Sequence, residues 1–174
     1  LKYSFCILVK NTLARIQIIA VLIGILLLII KFSAWLLTNS NALLSDALES
    51  IINVVAGCFA LFSLYVVAKP KDRNHPYGHG KIEFIAAGLE GGLIFVAGVL
   101  IIGKGIFNLF LPQPLTHLSI GIFVTLFSGL INFLLGYFLE AKGNKHNSLV
   151  LIADGKHLRA DAYSSLGVLV GLLL

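Results

Sequence analysis

The sequence contains no methionine and few charged residues, and both shortages restrict what the chain can be. Charged side chains make up 12% of its 174 residues, hydrophobic ones make up 58%, and the mean hydropathy is +0.97. A soluble domain is about one-quarter charged and about half apolar. The composition therefore predicts a membrane protein without a soluble domain of useful size. Because an initiator is missing and residues 167–174 are an apolar run, we expect an incomplete piece of a longer protein.

Cysteine is nearly absent as well. Cys6 and Cys58 stand apart without a CxxC pattern, which predicts two unpaired thiols rather than a metal site. The chain also lacks an HExxH sequence, which counts against a zinc-dependent hydrolase. The net charge of +5 is modest, and its Lys and Arg residues cluster between apolar segments. This pattern indicates the cytoplasmic loops of a membrane protein rather than nucleic-acid binding.

Five segments are long and apolar enough to cross a bilayer, which requires about 20 residues. They cover approximately residues 13–37, 42–68, 84–110, 115–139 and 148–174. Lys and Arg occur before the first segment and in the second and fourth connections, and the other two connections have none. The positive-inside rule then places the amino terminus in the cytoplasm. We predict an all-α, polytopic transmembrane helix bundle, and its compact size and short loops favour a bacterial inner membrane.

Two pairs of polar residues, each four positions apart, lie inside these apolar segments. Glu49 and Asn53 are in the second segment, and His157 and Asp161 are in the fifth. Residues at this spacing share a helix face, and a charged group in hydrocarbon costs roughly 2.5–3.5 kcal/mol. The helical rise predicts that Glu49 is level with Asp161, and Asn53 with His157, on antiparallel helices.

Together the two pairs supply two carboxylates, an imidazole and an amide. These groups suit a divalent cation of the zinc, manganese or iron type. The alternative is that they join helices by hydrogen bonds. Nearby, Asp46 lines the outer mouth of the pathway or caps its helix. Arg159 lies away from the His157–Asp161 face, where we expect it to snorkel or to face a cavity.

Three stretches of the sequence resemble the cation diffusion facilitator family of zinc/proton antiporters. They are Ser-Asp-Ala-Leu-Glu-Ser at residues 45–50, Asn-His-Pro-Tyr-Gly-His-Gly-Lys at residues 74–81, and His157-xxx-Asp161. Order, spacing and topology agree over about residues 10–174. The resemblance implies six spans and usually a cytoplasmic carboxyl-terminal metal-binding domain. Residues 1–174 then form an incomplete cation-efflux transmembrane domain, with five spans of an expected six.

The resemblance also implies which residues hold metal. The transport site is Glu49, Asn53, His157 and Asp161, although the family commonly has Asp-xxx-Asp or His-xxx-Asp in span two. The neutral Asn53 leaves the metal open, with zinc first and iron, manganese or cobalt as alternatives. A second, cytoplasmic-side zinc site is implied at the loop residues Asp72, His75 and His79. The alternative for that loop is a hydrogen-bonded turn whose glycines permit tight turning.

A secondary transporter, not an enzyme, is the function that the resemblance implies. Divalent cations would leave the cytoplasm in exchange for protons, and His157 suits this exchange because an unperturbed imidazole has a pKa of about 6.5. A homodimer is implied, with span three near the interface, where Gly88 and Gly92 permit close helix approach. The alternatives from other functional classes are an intramembrane metal-dependent hydrolase and a passive channel.

Overall fold

Five α-helices follow one another in the structure, a computed structural model that describes the backbone of residues 2–38, 41–70, 73, 75–76, 78–110 and 118–173. Side chains are described between residues 12 and 166 within those ranges, apart from 41–42, 45, 101, 104–105, 108–110, 118 and 120. The helices are α1 (Lys2–Thr38), α2 (Asn41–Ala68), α3 (Lys81–Phe110), α4 (Leu118–His146) and α5 (Leu149–Leu173). The part of the chain described here contains no strand, which confirms the predicted all-α bundle.

Four helices contain a stretch that is long and apolar enough to cross a membrane. These stretches are Thr12–Thr38, Asp46–Ala68, Lys81–Leu100 and Gly121–His146. The fifth predicted span is a continuous helix, but its described residues do not meet the same criterion, because charged residues interrupt its apolar sequence. α5 buries two of its polar side chains, Asp154 and His157, inside the bundle. Contacts with other helices therefore compensate for the low hydropathy of α5.

Large apolar side chains cover the outside of the bundle, as a lipid environment requires. α1 exposes Leu22 and Leu26, and α3 exposes Phe95 and Leu100. The interior is narrow and is built from small and medium side chains contributed by all five helices. The main buried cluster is Leu13, Ala20, Ala60, Leu64, Ala86, Leu139, Val150, Leu151 and Leu158.

The closest helix pair is α4 with α5, and α1 with α2 is the next most extensive contact. Glycines permit the close contact between α4 and α5. A Cβ atom added at Gly155 would lie 2.6 Å from the backbone nitrogen of Glu140, and one added at Gly136 would lie 2.6 Å from the carbonyl oxygen of Gly155. The two backbones therefore touch where these glycines meet, and α5 is held against α4 along the segment that carries His157.

The connection between α4 and α5 is shorter than the sequence predicted. Residues 140–147 were expected to form a loop, but α4 continues to His146. Lys145 and His146 lie in its last turn, where positive charge favours the helix dipole. Asn147 then ends the helix with φ 54°, and the Ser148 amide donates to the Gly143 carbonyl oxygen over 3.0 Å. This is the left-handed cap for which asparagine is second only to glycine.

One end of the bundle is defined by the connection between α2 and α3, and we call it the 69–81 end. α4 ends and α5 begins at the same end, where the Ser148 hydroxyl donates to Glu83 Oε1 over 2.9 Å. Successive helices alternate in direction, so α1 begins at this end and α2 runs towards it. Positions on different helices can therefore be compared by their distance from the 69–81 end.

Candidate transport site

Asn53 of α2 is the centre of the polar groups that the sequence singled out. Its amide nitrogen donates to Asp161 Oδ2 over 2.5 Å, and its amide oxygen lies 3.0 Å from His157 Nε2. His157 Nε2 is 3.6 Å from Asp161 Oδ2. The structure thus brings together three of the four predicted transport residues, and it places Asn53 beside His157, as helix depth suggested.

The Asn53 contacts determine which atom of His157 carries a proton. A carboxylate accepts hydrogen bonds only, so the Asn53 group that faces Asp161 is the NH₂ group, and its oxygen faces His157. His157 Nε2 must then donate its hydrogen to that oxygen. Nδ1 of His157 is buried and has no hydrogen-bond partner among the described residues. In the neutral imidazole this nitrogen holds the lone pair that a metal ion would use.

Glu49 lies one turn before Asn53 on the same face of α2. Its side chain is half-buried, and its Oε1 atom is inaccessible to solvent. Within the described residues, no three His, Cys, Asp or Glu side chains converge closely enough to hold a metal ion. Asn53 occupies the position between His157 and Asp161, so its hydrogen bonds hold these two potential ligands in this arrangement.

A buried ion pair lies beside the site and was not predicted from the sequence. Lys31 of α1 donates to Asp46 Oδ1 of α2 over 2.8 Å, and the side-chain exposures are 5% and 19%. Both charges act electrostatically on Asp161. Asp46 is therefore neither a helix cap nor a simple lining residue, because it neutralises a lysine in the interior. The sequence did contain a sign of this pair. Lys31 is a single cation inside an apolar segment, and because charge is costly there, it implies a counter-charge nearby.

Removing the lysine of this pair should destabilise the protein. We expect Lys31→Met to lower the free energy of unfolding by about 3–5 kcal/mol, because it leaves the Asp46 carboxylate buried without a counter-charge. Adding Asp46→Asn should recover most of this loss. The measurement is thermal unfolding of the purified protein in detergent. Lys156→Met, at an exposed lysine of α5, is the matched control, and equal unfolding temperatures for Lys31→Met and this control would contradict the prediction.

A second group of buried polar side chains lies nearer the 69–81 end than Asn53. Gln17 of α1 donates from its amide nitrogen to Asp154 Oδ2 of α5 over 2.5 Å and to the Gly57 carbonyl oxygen over 3.3 Å. Glu90 of α3 is fully buried and acts electrostatically on Asp154. Sequence reasoning missed all three residues. Gln17 and Glu90 have no polar residue three or four positions away, and Asp154 lies three rather than four residues from His157.

A cavity between α1, α2, α4 and α5 joins this second group to the predicted site. Its polar lining residues are Gln17, Ser50, Asn53, Asn132 and Asp154, and the others are small or apolar. Asn53 and Asp154 therefore border the same space at different depths. The cavity extends from the depth of Ser50, past Asn53, to the depth of Gln17, which is nearer the 69–81 end.

Arg159 makes defined contacts rather than snorkelling freely. Its guanidinium donates to Glu140 Oε2 of α4 over 2.5 Å and to the Tyr163 hydroxyl over 3.1 Å. It also lies over the ring of Phe133. These contacts join α5 to α4 on the side away from His157, which agrees with the predicted direction of Arg159.

The loop at the 69–81 end brings two of its three predicted metal residues together. The rings of His75 and His79 have centroids 4.4 Å apart. Gly78 has φ 83°, and its amide donates to the His75 carbonyl oxygen over 2.9 Å, which makes the tight turn between the two histidines. Asp72, the third predicted residue, lies outside the described residues.

Comparisons with known proteins match most of the chain. The family model described as the cation efflux transmembrane domain matches residues 17–174. An uncharacterised transporter of Synechocystis sp. is 38% identical over 145 residues, which cover 83% of this chain and 47% of the relative. A cation-efflux pump, FieF, of Cronobacter sakazakii is 30% identical over 161 residues, which cover 92% of this chain and 54% of the relative. The chain thus spans about half the length of these relatives.

Proposed function

The chain belongs to the cation diffusion facilitator family, and we propose that its protein exports divalent transition-metal cations from the cytoplasm in exchange for protons. Zinc is the first candidate cargo, and iron, manganese and cobalt are the alternatives. The observation that carries this proposal is the convergence of Asn53, His157 and Asp161 on two facing helices. Glu49, one turn away, completes the transport site with a second carboxylate.

Hydrogen bonds within the site suggest how cargo and protons exchange. In the metal-free arrangement, Asn53 holds His157 Nε2 and Asp161 Oδ2. A metal ion competes for these groups and for His157 Nδ1, and it requires the ligands to be deprotonated. Binding would therefore release any proton that Glu49, His157 or Asp161 has taken up in the empty site, and protons arriving from the other side would displace the metal. Alternating access around a site near the bilayer centre is common in secondary transporters.

The same contacts also hold α2 against α5, which was the alternative role of these residues. Interhelical hydrogen bonds between polar side chains are usual in membrane bundles. Both roles are compatible, because a transporter needs the metal-free site to be stable without the cation. Asn53 can hydrogen-bond to His157 and Asp161 when the site is empty, and these bonds can break when the ion binds.

Reconstituted vesicles provide the test of this proposal. The full-length protein is placed in vesicles with a pH gradient, and metal uptake and internal pH are followed together. We expect saturable uptake of zinc or of another divalent metal with opposite movement of protons, and collapse of the gradient by a protonophore should slow it. Protein-free vesicles are the control. Metal movement that neither saturates nor responds to the pH gradient would contradict antiport.

Asn53 is the position where the choice of metal can be tested. We expect Asn53→Asp to tighten zinc binding by about tenfold, because a third carboxylate adds negative charge beside the ion. It should also increase the number of protons released, since the new carboxylate faces Asp161 and retains a proton in the empty site. Isothermal titration of zinc and manganese measures both effects.

Asn144→Asp makes the same substitution at an exposed position of α4 and serves as the control for Asn53→Asp. It should leave zinc affinity and proton release at wild-type values. Zinc affinity that is unchanged in Asn53→Asp would show that Asn53 is not beside the bound ion.

The loop histidines support a second metal site as part of the same proposal. The rings of His75 and His79 are close enough to share one ion, on the side that the proposed orientation makes cytoplasmic. Asp72 is the third ligand that the resemblance implies. The hydrogen-bonded turn at Gly78 is equally compatible with the alternative, a loop with a purely structural role. Metal binding that persists in a Glu49→Ala, His157→Ala double variant and disappears with His75→Ala would assign the second site.

Orientation and assembly complete the proposal. Positive charges at the 69–81 end, on Lys69, Arg73 and Lys81, favour the cytoplasmic side for that end and for the amino terminus, in a bacterial inner membrane.

A homodimer through α3 is supported by two glycines of that helix that have free space beside them. Added Cβ atoms at Gly88 and Gly92 would meet nothing within 4 Å. This face is therefore available for close approach by another helix.

A further inference from the structure

Glu90 of α3 is a buried acid that the proposed transport cycle does not yet use. Its side chain is fully buried, and neither carboxylate oxygen has a hydrogen-bond partner among the described residues. An ionised carboxylate in that situation is costly, and such a group usually becomes neutral instead. The position lies within a predicted span, so bulk water does not provide the missing partners.

The charged neighbour of Glu90 is another acid rather than a base. α3 packs against α5 and α2. From α5, Asp154 acts electrostatically on Glu90. Between Asn53 and Lys69, the only titratable side chains of α2 are Cys58 and Tyr65, and both are exposed. The buried or half-buried cations Lys31 and Arg159 are paired with Asp46 and Glu140 instead.

The two acids differ in the donors that surround them. Asp154 accepts a hydrogen bond from the Gln17 amide, which supports an ionised carboxylate. Glu90 has no donor within the described residues, and it lies in the field of Asp154. A single proton shared by this pair therefore resides on Glu90, because a negative charge there would be unsolvated and would face a second negative charge.

We propose that Glu90 is a proton-binding site of the transporter, separate from the metal ligands, which is occupied when the transport site is empty and releases its proton when a divalent cation binds. This inference rests on the proposed function and adds to it a residue that contributes to the proton count. The O–H bond of the Glu90 carboxyl group breaks, its electron pair stays on the carboxylate, and the proton leaves the interior of the bundle and ends on solvent water outside it. No oxidation or reduction is involved.

The connection between Glu90 and the transport site runs through Asp154 and Gln17. Asp154 precedes His157 by three residues on α5, and the two interact electrostatically. Gln17 bonds to Asp154 and to Gly57, which lies one turn after Asn53 on α2. A divalent cation at the transport site places two positive charges near this group. Those charges favour the ionised form of both acids and so drive the proton off Glu90.

The test counts the protons released when zinc alone is added to the purified full-length protein in detergent. Isothermal titration in buffers of different ionisation enthalpy gives this number. We expect Glu90→Gln to bind zinc with unchanged stoichiometry and to release about one proton fewer per metal ion than the wild type, because the amide has no proton to lose. Glu83→Gln, at an α3 acid that is bonded to Ser148, should release the wild-type number.

Each other outcome has a definite meaning. An unchanged proton count in Glu90→Gln overturns the inference and leaves the proposed function standing. Glutamine has the shape and charge of the protonated acid, so the variant should unfold at the wild-type temperature. A variant that fails to fold would also overturn the inference, because the neutral acid and glutamine should be interchangeable at this position. A wild type that binds none of the four candidate metals overturns the proposed function itself.

Discussion

His157→Ala should reduce metal-driven proton flux in reconstituted vesicles to the level of protein-free vesicles. The substitution removes the only imidazole at the transport site and the donor that holds the Asn53 oxygen. A metal ion would lose its nitrogen ligand and keep only oxygen donors, which are weaker ligands for zinc. The exchange would also lose the side chain that can take up a proton on one ring nitrogen while the other contacts Asn53.

Two controls separate this effect from misfolding. His146→Ala makes the same substitution at the end of α4, away from the site, and should transport at the wild-type rate. His157→Gln places an amide donor near the position of Nε2, where it can bond to Asn53, and should preserve the unfolding temperature while transport remains lost. Full flux in His157→Ala would remove His157 from the mechanism, and Asn53 and Asp161 would then be interhelical contacts only.

Gly155→Ala should destabilise the protein by about 3 kcal/mol or more, although alanine normally stabilises a helix relative to glycine. The added Cβ would lie 2.6 Å from the Glu140 nitrogen and 2.7 Å from the Gly136 oxygen. Both atoms belong to the backbone of α4, so no side-chain rotation can relieve the overlap. The helices must separate, and the Arg159–Glu140 pair would be strained as they do so.

Gly91→Ala on α3 is the matched control, because a Cβ atom there would meet nothing within 4 Å. We expect it to be neutral or stabilising by about 0.5–1 kcal/mol, the usual benefit of replacing glycine within a helix. Thermal unfolding in detergent and the yield of monodisperse protein measure both variants. Similar unfolding temperatures for Gly155→Ala and Gly91→Ala would show that α4 and α5 are not in backbone contact.

The Gly155 contact also has a consequence for transport. α5 carries His157 and Asp161, and because its backbone touches that of α4, we expect the two helices to move together. α2, which carries Glu49 and Asn53, meets α5 through fewer contacts, among them the Asn53 hydrogen bonds. A change of access that separates α2 from α5 would therefore break few interactions, whereas one that separates α4 from α5 would break many.

Much of the transport site could be predicted from the sequence. Asn53 and His157 were expected at the same depth on antiparallel helices, and the structure places them 3.0 Å apart. This succeeded because helical rise and spacing are constant, and because polar residues in apolar segments are costly and therefore informative. The central position of Asn53, which bonds to two residues at once, depends on side-chain directions that spacing does not specify.

The amino-acid sequence by itself determined the class of protein and the order of the helices, and it singled out the residues proposed for the transport site, because hydropathy and helical period are local properties of the chain. Only the tertiary structure decided what surrounds the polar residues Gln17, Lys31, Glu90 and Asp154. Each of them faces a polar or charged group on another helix, and sequence spacing within one helix does not predict such a neighbour. Such pairs exist only after packing, since the cost of burying each group depends on what the neighbouring helix presents to it.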